Sequence, residues 1–316
     1  MENSQQPGSG HAPAYSVDTS VLLIAFNRPE ETSAVISRLR EVKPKTIYFA
    51  VDGPRIDRPD DKDLVEMTQA LKSQFDWDCV VSTRFSEKNL GCGVGVSSAI
   101  SWALESEERV IILEDDIVPE ISFFRYCDEL LGLYKDDDDV FAVSGCNFVP
   151  RELLPEFESY RFSSIPHVWG WAVWKRSWDT YSFDISDWRQ DLPIRELHKS
   201  LGRSILATFM WTRIFNLMAA KKIDTWDYQL CYAVLKSKSK VATANVNAVT
   251  NIGFGNNATH TALAPNYLLN AEEINYPLFH PTKDLNLEVD GWTQRNVMGA
   301  SFGRLVKTAL KSLKKQ

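Results

Sequence analysis

An α/β fold built on a mostly parallel sheet is predicted by three observations. Short apolar runs such as Val21–Phe26 and Arg109–Leu113 read as strands buried on both faces, the pattern of a sheet covered by helices on each side. Stretches of helical length with apolar stripes lie between them. Polar and charged groups follow the apolar runs directly, at the carboxyl ends where open α/β sheets hold ligands.

Taken in order, residues 1–18 are poor in apolar side chains and read as a disordered tail. The run Val21–Phe26 is the first strand, closed by Asn27-Arg28-Pro29. Pro29 suits the first turn of a helix whose Val35, Ile36 and Leu39 share one stripe. A second strand is expected over Thr46–Val51, stopped by Asp52-Gly53-Pro54. An acid-rich helix to about Phe75 and a short strand over Asp78–Ser82 follow. Asn89 and a glycine run (Gly91, Gly93, Gly95) lead into a helix to Ser106. The strand Arg109–Leu113 ends in Glu114-Asp115-Asp116. A helix over Ser122–Tyr134 and a strand over Val140–Ser144 complete this half. Beyond Gly145 the regularity fades and tryptophans crowd together, from Trp169 to Trp178.

Composition narrows the function classes. The 316 residues are 44% hydrophobic and 24% charged, which excludes a disordered or fibrous chain. The longest uncharged stretch, residues 241–271, carries seven asparagines and reads as polar loop rather than membrane span. No signal-peptide pattern opens the chain, so a cytoplasmic location is expected. Five cysteines without C-x-x-C spacing point to free thiols. Net charge is −7, but residues 301–316 hold five bases and no acid, so the remainder is more acidic still. Such a body is a poor nucleic-acid binder.

The acidic triplet carries the most chemistry. Three adjacent carboxylates at a strand end repel one another unless a cation compensates them, and hard oxygen donors select Mg²⁺ or Mn²⁺. The alternative is a solvated turn. The run Asp136–Asp139 precedes its strand and reads as such a turn. Neither a G-x-G-x-x-G fingerprint after a strand, nor a P-loop, nor a G-x-S-x-G elbow occurs.

The ordered set Asn27-Arg28, Asp52-Gly53, Asn89-Leu-Gly, Glu114-Asp115-Asp116, Gly170-Trp171 and Phe254-Gly255…His260 resembles GT-A glycosyltransferases of the N-acetylglucosaminyltransferase I type and their bacterial sugar-transferase relatives. The likeness covers roughly residues 20–260. It implies a Rossmann-like nucleotide-binding half (19–145) and an acceptor half (146–285); by composition, a basic amphipathic C-terminal segment (286–316) follows. It further implies that Arg28 contacts the nucleotide, Asp52 reads the uracil edge and Asn89 touches the base. Asp116, with Asp115, holds the metal, while Glu114 and Asp115 face sugar and ribose. Gly255 and His260 belong to a segment over the diphosphate, with His260 either touching the diphosphate or metal or standing as an ordinary loop histidine. Trp171 is expected near the donor and the other tryptophans in the core.

The expected function is then a metal-dependent inverting transfer from a UDP-sugar to a glycan or lipid-linked saccharide. Its general base is sought in Ile223-Asp224-Thr-Trp226-Asp227, with Asp227 first and Asp224 second; an ordinary helix-start acid is the alternative. A sugar-nucleotide-forming nucleotidyltransferase and a non-catalytic UDP- or carbohydrate-binding protein remain as other readings. Residues 301–316 place Phe302, Leu305, Val306, Ala309, Leu310 and Leu313 at helical spacing with lysines on other faces. That suits either an anionic membrane surface or docking on the acidic body.

Overall fold

The computed structural model describes residues 15–254 and 268–300. The first half runs β1 (Val21–Ala25), α1 (Pro29–Val42), β2 (Thr46–Val51), α2 (Asp61–Ala70), β3 (Val80–Phe85), α3 (Gly91–Leu104), β4 (Arg109–Glu114), β5 (Ile117–Pro119), α4 (Ile121–Leu133) and β6 (Val140–Ser144). The second runs β7 (Tyr160–Ser163), β8 (Trp171–Trp174), α5 (Lys175–Trp178), α6 (Trp188–Asp191), α7 (Ile194–Ser200), α8 (Ile205–Ala219), α9 (Asp227–Ser237), β9 (Lys240–Ala244), β10 (Val249–Asn251) and α10 (Leu287–Asn296). Pro29 occupies the first turn of α1, where its missing N–H has no partner to lose.

Eight strands form one sheet in the order β3-β2-β1-β4-β8-β6-β9-β7. β3, β2, β1 and β4 are mutually parallel, as are β6 and β9, while β8 and β7 run against their neighbours. The expected α/β class with a mostly parallel sheet is what the chain adopts. Alternation within β1 explains its unbroken apolar run. Val21 and Leu23 point to a layer with Val35 and Leu39 of α1 and Phe124 and Leu130 of α4. Leu22 points to the opposite layer, with Ile100 and Ala103 of α3 and Leu230 and Val234 of α9. Each such fully buried Val, Leu, Ile or Phe side chain contributes about 1.5–3 kcal/mol by leaving water.

Three differences from the sequence expectations have physical causes. The third strand begins at Val80 rather than Asp78 and extends to Phe85. It is a sheet edge, so only one flank pairs and its residues stay half-exposed, with no apolar run to mark its end. The tryptophan-rich segment supplies β8, which inserts antiparallel between β4 and β6 and ties the two halves into one sheet. Finally, β5 pairs antiparallel with β10 in a two-stranded ribbon beside the main sheet. Neither piece exceeds three residues, too short for a periodicity signal.

No helix among the described residues is long and apolar enough to cross a membrane. The cysteines are all free, as expected.

Candidate active site

The carboxyl ends of β1, β2 and β4 open onto one cavity of about 430 Å³. β1 delivers Asn27 and Arg28, β2 delivers Asp52, and β4 delivers Glu114, Asp115 and Asp116. The opposite wall comes from the start of α3 (Asn89, Gly91, Cys92), from Asp224, and from Trp169, Gly253 and Phe254.

Arg28 lies across the acidic turn. Its Nη1 donates to Asp116 Oδ2 at 2.7 Å and reaches Asp115 Oδ1 at 3.5 Å. Asp115 Oδ2 also accepts the backbone N–H of Phe26 at 3.2 Å. Burial alone would lower the Arg28 pKa, but Asp115 and Asp116 hold it above its ordinary value. One arginine does not balance three acids. The Glu114 carboxylate has no hydrogen bond among the described residues; removal from water, with Asp116, Asp115 and Asp227 nearby, pushes it up to about 8. Asp115 is raised too, by burial first and by Asp116 second.

The ribbon of β5 and β10 closes this turn from one side. Ile252 N–H donates to the Asp116 carbonyl at 2.8 Å, and the chain then passes so near the Asp116 carboxylate that a Cβ on Gly253 would stand 2.0 Å from Oδ2. Only glycine admits that approach. Phe254 follows, edge-on to Trp169 at 5.9 Å, which itself packs edge-on to Phe148.

Asp52 does something other than the sequence suggests. Its carboxylate accepts from Gly53 N–H, Leu90 N–H, Gly91 N–H and the Asn89 side-chain amide at 2.8–3.2 Å. A carboxylate offers roughly four acceptor positions, and these contacts fill them. Asp52 therefore neutralises the exposed N–H groups at the start of α3 and fixes that helix to the end of β2. It lines the cavity, yet keeps no evident acceptor for a uracil edge. The Asn89 amide donates to Asp52 and to the Gly53 carbonyl, while its Oδ1 makes no hydrogen bond among the described residues.

Asp224 and Asp227 separate clearly. Asp224 lines the cavity, and its Oδ1 accepts the Gly93 N–H at 3.0 Å. A Cβ on Gly93 would fall 2.5 Å from that oxygen, so the glycine run is an aspartate seat rather than a phosphate loop. Asp227 does not line the cavity. It opens α9, where Oδ1 accepts from the Thr225 hydroxyl at 2.5 Å and the Tyr228 N–H at 2.9 Å, the bonding of a helix-start acid. The first-choice base is thus the more engaged of the pair.

Trp171, expected at the donor, lies instead in the core. It is 1% exposed within β8 and stacks on Trp226 at 5.6 Å. Trp169, two residues earlier and outside the strand, takes the place at the cavity wall. Gly255 and His260 fall outside the described residues. Arg84, Ser86, Cys92 and Asn251 also line the cavity and carried no sequence signal of their own. Burial first, then Glu114 and the aspartates, pushes the Cys92 thiol up to about 12 and keeps it protonated.

Among the described residues no cage of three or more His, Cys, Asp or Glu side chains surrounds a point. The donors at the turn nonetheless suit a hard divalent ion of the Mg²⁺ or Mn²⁺ kind, which characteristically takes one or two carboxylates and completes its shell with phosphate and water. The surplus of acids over Arg28 fits the same conclusion.

No protein-family model matches the chain, and no curated protein matches it in sequence. Among solved structures it is similar to the mannosyltransferase PcManGT from Pyrobaculum calidifontis, determined with GDP-Man and Mn²⁺. The identity is 12%, over 72% of this chain and 70% of that one, with a TM-score of 0.39.

Proposed function

We propose that the chain is a metal-dependent glycosyltransferase, moving a sugar from a UDP-sugar to a hydroxyl of a glycan or lipid-linked saccharide. One observation carries this: a strand-end turn of three acids, short of positive charge, faces a single cavity with Arg28 laid across it. A ligand that pairs a divalent ion with a diphosphate satisfies both partners at once, since the acids gain a cation and Arg28 gains an anion.

Asp116 and Asp115 would hold the ion, which supplies Lewis-acid neutralisation of the leaving diphosphate. Arg28 turns from the carboxylates to the phosphate oxygens. Asn89, which lines the cavity, accepts from the nucleobase edge through Oδ1, while Asp52 ties down the adjacent backbone. Asp224 takes the proton of the acceptor hydroxyl. Its position at the wall and its single backbone tether favour it over Asp227. Direct displacement with inversion then needs no covalent intermediate on the protein.

A panel of UDP-sugars with Mn²⁺, read by UDP release against an EDTA control, tests the reaction class. UDP release that EDTA abolishes is the expected result. Pyrophosphate made from UTP and a sugar phosphate, with no UDP from any donor, would replace it by nucleotidyl transfer. Asp224→Asn should cut turnover by roughly 100-fold or more while UDP still binds. If Asp227→Asn does this and Asp224→Asn does not, the base is Asp227.

A further inference from the structure

The charge of the molecule is not evenly spread, and the exception coincides with exposed apolar side chains. Residues 194–222, covering α7 and α8, contain six basic residues (Arg195, Lys199, Arg203, Arg213, Lys221 and Lys222) and one acid, Glu196. Residues 1–300 as a whole hold 30 bases against 42 acids, so this segment has the opposite sign to the body around it. Its one acid is already paired, with Lys199 at 2.8 Å and Lys238 at 3.7 Å.

The outer stripe of α8 begins with Ile205, 78% exposed, and Phe209, 57% exposed, four residues apart on one face; Arg213 continues it. Ile194 at the start of α7 and Leu287 at the start of α10 are exposed as well, and Leu287 lies beside Gly202 in the loop between α7 and α8. The inner stripe of α8 (Ala207, Met210, Trp211, Phe215) already fills the core with α7 and α9, so the outer residues are not needed to hold the helix. Isolated exposed apolar residues are ordinary, but here they share a segment with Arg195, Arg203, Arg213 and Lys222, none of which has an ion pair among the described residues, while Lys199 and Lys221 pair with Glu196 and Asp184. Ala300, the last described residue of the chain, packs in this same cluster.

We infer that the α7–α8 face is a docking surface for an anionic lipid bilayer, with Ile205 and Phe209 entering the interface and the surrounding arginines and lysines lying on the headgroups. The chemistry is that of interfacial binding: apolar side chains enter the headgroup region while basic neighbours take up the negative surface potential. A protein partner would have to be strongly acidic to match the same ring of charge, whereas a bilayer presents negative charge and an apolar interior together. The inference is independent of what the cavity binds.

Sedimentation of the full chain with vesicles of zwitterionic lipid, and with vesicles carrying a third anionic lipid, tests this. Binding to the anionic vesicles only, weakened as salt rises, is expected. The double variant Ile205→Gln, Phe209→Gln alters only exposed positions and should keep the thermal midpoint. It should lower the partition coefficient about tenfold. Arg203→Glu with Arg213→Glu should lower it by a similar factor. Wild-type protein that ignores anionic vesicles overturns the inference. So does an Ile205/Phe209 variant that binds as the wild type does, because the tail alone would then account for binding.

Discussion

Two regions of the molecule take ionisable groups out of water, and they do it in opposite ways. Around β7 and β9, the buried charges are held by several hydrogen bonds each, although Arg161 Nε has no partner among the described residues. The Asp290 carboxylate accepts the Ser163 hydroxyl at 2.6 Å and both the N–H and hydroxyl of Ser164 at 2.8 Å. Arg161 donates to the Ala244 carbonyl and to the side-chain oxygens of Asn245 and Asn147 at 3.0–3.1 Å. Burial lowers Arg161 to about 10, so it stays charged, and burial with Arg161 nearby drives His167 to about 3, so it stays neutral. At the cavity edge, by contrast, Glu114, Asp115 and Asp116 gather beside a single arginine, and the Glu114 carboxylate has no hydrogen bond among the described residues. The first arrangement holds a fold together. The second makes the fold less stable than it could be, and that imbalance is what a ligand can relieve.

The contrast can be broken most sharply at its two ends. Asp290→Asn removes a buried hydrogen-bonded charge that Arg161 also senses, and should lower unfolding free energy by about 3 kcal/mol, read as a lower urea midpoint. Glu114→Gln should move the metal-free protein the other way, raising stability at pH 8 by about 1 kcal/mol. A loss of stability in metal-free Glu114→Gln at that pH would mean the triplet is an ordinary structural cluster.

A smaller effect concerns pH. Glu114 keeps its proton to about 8 when folded and releases it near its ordinary 4.5 when unfolded, so between those values the folded state binds more protons. Its contribution to metal-free stability is therefore full below the unfolded value and falls as pH rises toward 8. Asp115, raised in the same direction, adds to the slope. Thermal midpoints of EDTA-treated protein should fall from pH 5 to pH 8, and Mn²⁺ should flatten that fall. A midpoint that climbs across this range would argue against the electrostatic picture.

Gly93→Ala probes the cavity wall alone. A Cβ there meets Asp224 Oδ1 at 2.5 Å, so the carboxylate must move. Turnover should drop about tenfold or more with donor affinity little changed, because the loss falls on proton transfer. Unchanged turnover would detach Asp224 from the chemistry.

Much of the first half was legible in the residues because each buried strand there is an unbroken apolar run that ends in a polar group. Thr46–Val51 and Val140–Ser144 fall where that pattern puts them. The gathering of Arg28, Asp52 and the acidic triplet at one edge follows from the same rule, since parallel strands present their carboxyl ends together. What sequence could not convey was direction within a crowded segment. Trp169 and Trp171 are two residues apart, and only the start of β8 between them decides that one meets the cavity and the other the core. Nor could it show that Asp52 is committed to the start of α3, because those bonds join segments 37–39 positions apart. The glycines at 91 and 93 did carry a trace of Asp224, as places where no side chain fits; the partner that excluded the side chain lay 131 residues away.

Calorimetric titration of UDP into the purified chain, with Mn²⁺ and with EDTA, tests the role of the acidic turn most directly. Binding that requires the metal, and that Asp116→Ala abolishes while the thermal midpoint of the metal-free protein is kept, is the expected result. No heat with Mn²⁺ present, or affinity indifferent to Asp116, would contradict it.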